Sequence, residues 1–262
     1  ATVGFNLKNK GLIEDVKVTG SVTGNNDVAG IVNKIDEDGK IENVAFVGKI
    51  DSVGNNSTVG GIAGSNYMGF VNRAYVDATI TAQNANASML VPFVTYMLNS
   101  WKSGTKARVT NSVAKGVLDV KNTRNVGGIV AKTWPYGAVQ DNVTYAKVIK
   151  GQEIFASNDV NDEDGGPHIK DLFGVVGYSS AEDGTGKDTK SPKKLKHLTK
   201  EEADKRVEGY KITADTFVSE PYALNTLNNA SSQAHFVNIQ DYNPAYKQAY
   251  KNIEKFQPFY NK

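Results

Sequence analysis

Four stretches of this chain read alike column by column, opening at Ile13, Ile41, Val71 and Val109. Three, five, seven and nine residues on, the first copy has Val16, Val18, Gly20 and Val22, and the second Val44, Phe46, Gly48 and Ile50. The third has Ala74, Val76, Ala78 and Ile80, and the fourth Ser112, Ala114, Gly116 and Leu118. Openings 28, 30 and 38 residues apart mark a structural unit used repeatedly, as in stacked arrays whose units bury their apolar faces against neighbours. Within each copy the apolar alternation has period two, which places that set on one side of a strand.

A column kept small, Gly20, Gly48, Ala78 and Gly116, suggests that backbone passes close to backbone between copies. Each strand is followed by a polar segment: Gly24-Asn25-Asn26, Gly54-Asn55-Asn56, Asn84-Ala85-Asn86 and Asn122-Thr123-Arg124-Asn125. Glycine and asparagine tolerate positive φ, so these read as tight corners. A second apolar slot follows: Val28 to Val32, Val59 to Ala63, Leu90 to Pro92 and Val126 to Val130. Val139, Val143, Tyr145 and Ile149 make a frayed fifth copy, closed by Phe173-Gly174-Val175-Val176, with a one-residue slip that sets Lys147 in the small column. Terminal units of arrays often depart in this way.

Equivalent strands in successive copies pair most simply as parallel ladders with layers about 4.8 Å apart. The expected fold is mainly β: a parallel β-helix of about five coils over residues 1–180, on the order of 25 Å long by that spacing. Val3-Gly4-Phe5 fits the second slot of an earlier copy, so the chain reads as a piece of something longer.

The 262 residues suffice for such a domain plus a smaller appendage. With 30 basic and 28 acidic side chains, a net of +2, no overall field recruits nucleic acid or a membrane surface. The absence of cysteine excludes disulfides and thiolate metal ligands. The run from Met89 to Leu98, broken by Pro92, is far short of the roughly 20 residues that span a bilayer. Residues 181–198, rich in lysine with Gly184, Gly186, Ser191 and Pro192, read as a solvated linker. From Thr199, a capping-box pattern with Glu202 opens a short charged helix ending near Gly209. Asn243 and Pro244 open another, with Tyr246, Ala249, Tyr250, Ile253 and Phe256 at helical spacing. Residues 199–262 are therefore expected to form a helical capping module that covers one end of the coil.

The chain offers little chemistry. His168, His197 and His235 are scattered and none stands in a His-Glu-x-x-His arrangement, so no metal ligand is assigned. The acidic run from Asp159 through Asn161, Asp162, Glu163 and Asp164 to Gly165 fails the calcium-loop template, since the sixth place holds Asp164 and the twelfth Lys170. Gly186-Lys187 lacks both the first glycine and the Ser or Thr of a phosphate loop. The outward column Lys17, Ala45, Tyr75, Val113 carries no ladder of acids of the kind a polysaccharide-cleaving β-helix needs. No catalytic residue is assigned. Trp101, and Trp134 with Tyr136, fall where loops leave the coil; they are contact anchors for a partner or lids over the coil's own edge.

The units around Val59-Gly60-Gly61-Ile62-Ala63-Gly64 and Val126-Gly127-Gly128-Ile129-Val130-Ala131 resemble the GLUG repeat of bacterial surface proteins. Asp241-Tyr242-Asn243, Tyr246, Tyr250 and the run Asn252-Ile253-Glu254-Lys255-Phe256-Gln257-Pro258-Phe259-Tyr260-Asn261 resemble the segment after those repeats in Gram-positive immunoglobulin A proteases and related zinc metalloproteases. The resemblance implies a secreted, cell-wall-attached zinc endopeptidase that cleaves host glycoproteins such as immunoglobulin A. Its zinc and its His-Glu-x-x-His helix would lie in a catalytic domain absent here. The expected role is a non-catalytic spacer or substrate-orienting platform, with a stand-alone adhesin that binds host protein or glycan as the alternative. Neither nucleic acid nor membrane insertion is expected.

Overall fold

The computed structural model describes residues 4–7, 11–36, 38–94, 107–133, 138–150, 155–158, 176–177 and 196–212. The chain divides into two compact units, Ala1–Phe217 and Val218–Lys262, and every described residue belongs to the first. The helix expected after Pro244 and the motif from Asn252 to Asn261 lie outside the described residues.

The first unit is mainly β, a parallel β-solenoid of about four turns with one short helix. A leading strand, β1 (Gly4–Leu7), precedes a turn made of β2 (Leu12–Gly24), β3 (Val28–Ala29) and β4 (Val32–Ile35). The next two turns each have one long and one short strand: β5 (Lys40–Gly60) with β6 (Ala63–Asn66), then β7 (Phe70–Ser88) with β8 (Phe93–Val94). The fourth comprises β9 (Arg108–Thr110), β10 (Val113–Gly127) and β11 (Val130–Thr133). Onto it pair β12 (Ala138–Gln140), β13 (Val143–Thr144), β14 (Lys147–Ile149) and β15 (Phe155–Asn158). All of these pairings are parallel. The long strands, with β3, β9, β12, β13 and β14, build a nine-stranded sheet, and the short strands a six-stranded one in the order β1-β4-β6-β8-β11-β15, so each second slot starts in the first sheet and ends in the second.

The register is the one the columns imply. Gly20 pairs with Gly48, Gly48 with Ala78, and Ala78 with Gly116. The inward side chains of both sheets form one core in which Val44, Phe46, Ile50, Val76, Ile80 and Leu118 are fully buried. Ile31, Ile62, Leu90 and Ile129, in the bends between strands of the two sheets, are buried to the same depth in that core. Burying one such side chain is worth roughly 1.5–3 kcal/mol. Where the inward column turns polar, its bonding is internal. The Ser112 hydroxyl accepts from the Ala74 amide at 3.0 Å, and the Asn142 side chain accepts from the Ser112 amide and donates to the Val109 carbonyl.

Three expectations are corrected. The asparagine segments are not tight turns in copies two to four: β5, β7 and β10 run through them, with register shifts between Ser52 and Ser57 and between Thr123 and Val126. Extra residues bulge, the ladder bends, and no left-handed residue is required. Gly54 is small for another reason: a β-carbon there would lie 1.3 Å from the Asn25 carbonyl oxygen. The left-handed corner lies elsewhere, two residues after each opening, at Asp15, Asn43, Arg73, Asn111 and Asp141, with φ between 51° and 55°.

The fifth copy does not slip. Val113 pairs with Val143 and Val117 with Lys147, which sets Ala146 level with Gly116 and turns Lys147 outward. Reading Tyr145 as inward was the error; its ring faces out, and Thr144 and Val148 point in. That copy's second slot is filled by β15, which pairs with β11, rather than by residues 173–176. Instead, β16 (Val176–Gly177) pairs with β17 (Lys196–His197), so the segment expected as a linker ends in a short strand.

Candidate functional site

The outward face of the nine-stranded sheet carries a column of Lys17, Ala45, Tyr75, Val113 and Val143, each paired with the next. Its later members are apolar, and outward apolar side chains need a cover. The cover is α1 (Lys200–Tyr210), a helix laid along the flank of the solenoid. Thr199 starts it through a capping box: its hydroxyl accepts from the Glu202 amide while the Glu202 carboxylate accepts from the Thr199 amide. Lys211 stops it in the left-handed conformation at φ 53°. Leu198, Ala203 and Tyr210 close with Val113 and Val143 into a second apolar cluster, flanked by Tyr75, Tyr145, Val207 and Ile212. The described part of the expected end cap therefore sits on a lateral face, where the apolar column lies.

Polar contacts fix the helix at both ends. Near its start, the Tyr145 hydroxyl donates to the Asp204 carboxylate at 2.5 Å, and the Lys200 ammonium pairs with the same carboxylate. These donors, Lys200 before Tyr145, hold Asp204 below the usual carboxylate range. Near its end, the Arg206 guanidinium pairs with Asp141, and Arg73 donates to the Lys211 carbonyl at 3.4 Å. Arg73 also pairs with Glu42 at 2.5 Å, and Asn72 donates to that carboxylate at 2.9 and 3.1 Å. Burial pushes the Tyr210 phenol upward, so it stays neutral.

Between helix and sheet, Lys115, Tyr145, Lys200, Asp204 and Val207 line a shallow cleft of about 330 Å³. The Lys115 ammonium lies 5.3 Å from the Tyr75 ring centre and 5.8 Å from that of Tyr145. Ammonium, phenol rings and a paired carboxylate make a contact surface, with none of the nucleophile-and-base geometry of covalent catalysis. Among the described residues no group of three or more His, Cys, Asp or Glu is placed to hold a metal ion. No described helix is long and apolar enough to cross a membrane.

Trp101, Trp134 and Tyr136 lie outside the described residues, as do His168, His235, the acidic run from Asp159 to Gly165 and Gly186-Lys187. His197 is in β17. Sequence reasoning set Tyr75 in an outward column and Tyr145 in the fifth copy but assigned neither of them, nor Lys115, to a site. A signal was present: Tyr75 and Val113 stand in an outward column, and bulky apolar groups facing out in consecutive layers imply something packed over them.

The stacked parallel rungs and the helix along their flank define the class, a β-solenoid segment. The chain is homologous to a segment of streptococcal zinc metalloproteases. It is 49% identical over 265 residues to zinc metalloprotease ZmpB of Streptococcus pneumoniae, covering 100% of this chain and 14% of that protein. With zinc metalloprotease ZmpC of the same organism it shares 29% identity over 262 residues, 97% of this chain and 13% of that protein. The immunoglobulin A1 protease of Streptococcus sanguinis is 24% identical over 267 residues, covering 95% of this chain and 14% of that protein. The chain thus spans about one-seventh of the length of these relatives. No protein-family model and no solved structure matches it.

Proposed function

We propose that this chain is the non-catalytic β-solenoid region of a secreted, cell-wall-attached zinc metalloendopeptidase that acts on host glycoproteins such as immunoglobulin A. It serves as a rigid spacer, or as a platform that orients substrate for a catalytic domain elsewhere in the polypeptide. The observation that carries this reading is one of coverage: the similarity extends over 95–100% of the chain yet only 13–14% of each metalloprotease. In this reading the strands from Ala138 to Asn158 complete a fifth coil, and residues 199–262 form a helical module tied to it through the segment 181–198.

A stack suits the role because each layer rests on its neighbours and the lateral surfaces stay available. The sequence holds no His-Glu-x-x-His motif, and among the described residues no cluster of ligands is placed to hold the zinc of the parent. No catalytic step is routed through them.

The test is direct. Incubated with zinc and immunoglobulin A, the purified chain is expected to leave the antibody intact on a gel; cleavage that follows the purified chain would contradict the reading. Titration of immunoglobulin A into the chain by calorimetry separates platform, which binds, from spacer, which does not. Binding of the isolated chain to host glycans would favour an adhesin instead.

A further inference from the structure

The groups lining the cleft between α1 and the nine-stranded sheet are unequally used. The lining holds two ammonium groups, on Lys115 and Lys200, and one carboxylate, on Asp204. That carboxylate is engaged twice, by the Tyr145 hydroxyl at 2.5 Å and by the Lys200 ammonium. Lys115 is not matched in this way. Among the described residues it makes no ion pair, although Asp77 stands level with it on β7. Its ammonium lies instead over the rings of Tyr75 and Tyr145. A ring face attracts a cation without replacing an oxygen acceptor, so the Lys115 donors that point away from the rings are left for an acceptor in the cleft. Val207 adds an apolar side to the same cleft.

We propose that this cleft binds an acidic side chain of a peptide, glutamate above all, with Lys115 as the partner of its carboxylate and Tyr145 and Val207 against its methylenes. The choice of ligand follows from the lining. Sugar hydroxyls donate as well as accept, yet no described lining residue carries an amide and the one carboxylate is already taken. A carboxylate asks only for donors, which the two lysines supply. A volume of about 330 Å³ is at the small end of ligand pockets and suits one side chain. That the peptide belongs to a protein substrate rests on the platform reading of this chain; the site itself does not.

The probe is the capped tripeptide Leu-Glu-Leu, titrated at millimolar concentration into the isotopically labelled full chain and followed by nuclear magnetic resonance. Saturable shifts are expected at the Lys115 and Tyr145 side chains, fading as salt is added. The Leu-Gln-Leu isostere should bind at least about fivefold more weakly, the worth of a part-buried ion pair. Lys115→Met, which keeps the apolar stem, should abolish the shifts, and Lys115→Arg should retain them, with the Ala203 and Tyr210 signals showing that α1 stays docked in both. Equal binding of the two peptides, no saturable shift, or shifts that survive Lys115→Met would overturn the proposal. So would tighter binding of N-acetylneuraminic acid at the same side chains, since the ligand would then be an acidic sugar. Binding of Leu-Glu-Leu without binding of immunoglobulin A would keep the site and reject the platform; binding of immunoglobulin A with no peptide shift would do the reverse.

Discussion

The carbonyl oxygen of Gly20 sits against the α-carbon of Gly48 so closely that any β-carbon on Gly48 would fall 1.9 Å from it. This backbone contact between adjacent layers recurs where Gly116 meets Ala78. Gly48 also has φ of 149°. A non-glycine residue there meets both a collision and a conformational penalty of roughly 1–3 kcal/mol. Gly48→Ala is therefore expected to lower unfolding stability by at least about 2 kcal/mol. Ala78→Gly, in the same column, should cost roughly 0.5–1 kcal/mol. Urea titrations of the two variants check the contrast.

The second prediction concerns the interior. Phe46 is fully buried and is the largest side chain at that depth. Phe46→Ala is expected to cost roughly 3–5 kcal/mol, because the rungs above and below hold its walls apart. A lower urea midpoint with an unchanged slope would be the signature; a midpoint within error of the parent chain would deny that one continuous core holds the layers.

Arg73 occupies the left-handed corner that Asp15, Asn43, Asn111 and Asp141 fill in the other copies. Asparagine adopts that conformation more readily than arginine. Arg73→Asn should relieve the corner and remove the contacts to Glu42 and to the Lys211 carbonyl. A pair of this kind, about one-third exposed, is worth at most about 1 kcal/mol. The expected outcome is a solenoid of nearly unchanged stability with faster amide exchange in α1.

A fourth prediction follows from Asp204. Lys200 and the Tyr145 hydroxyl hold its carboxyl below the ordinary value of 3.8. Its contribution to the docking of α1 is thus present in full above the unfolded value and is lost as the pH falls through the lower folded one. Tyr145→Phe should bring the Asp204 titration back toward 3.8, and Lys200→Ala should do so further, because Lys200 is the larger cause. Carbon-detected titration of the Asp204 carboxyl reads both shifts.

How much was legible in the sequence depends on what each residue faces. The inward columns were legible because strands alternate with period two, and the pairing of Gly20 with Gly48 and of Gly48 with Ala78 follows from them directly. The helix start at Thr199 was legible from its capping box, and the chain ends that helix at Tyr210, one residue past Gly209. Tyr145 misled because an aromatic ring reads as core in either direction; only the helix packed above it explains why it turns outward. The left-handed corners were missed because Arg73 breaks the Asp/Asn column. The asparagine segments misled because a bulge and a turn draw on the same residue types. The flank cleft at Lys115 joins residues of the fourth turn to a helix some 85 positions later, a contact no local pattern encodes.

The central claim is that successive copies lie in register, one directly over the next. Ser21, Lys49, Thr79, Val117 and Lys147 pair in succession across four layer steps on the outer face. The chain has no cysteine, so Ser21→Cys and Lys147→Cys place two spin labels without background. Double electron–electron resonance should then give a single narrow distribution centred near about 19 Å, widened only by the label arms. A broad distribution, or one centred beyond about 35 Å, would contradict the layered stack and the spacer role built on it.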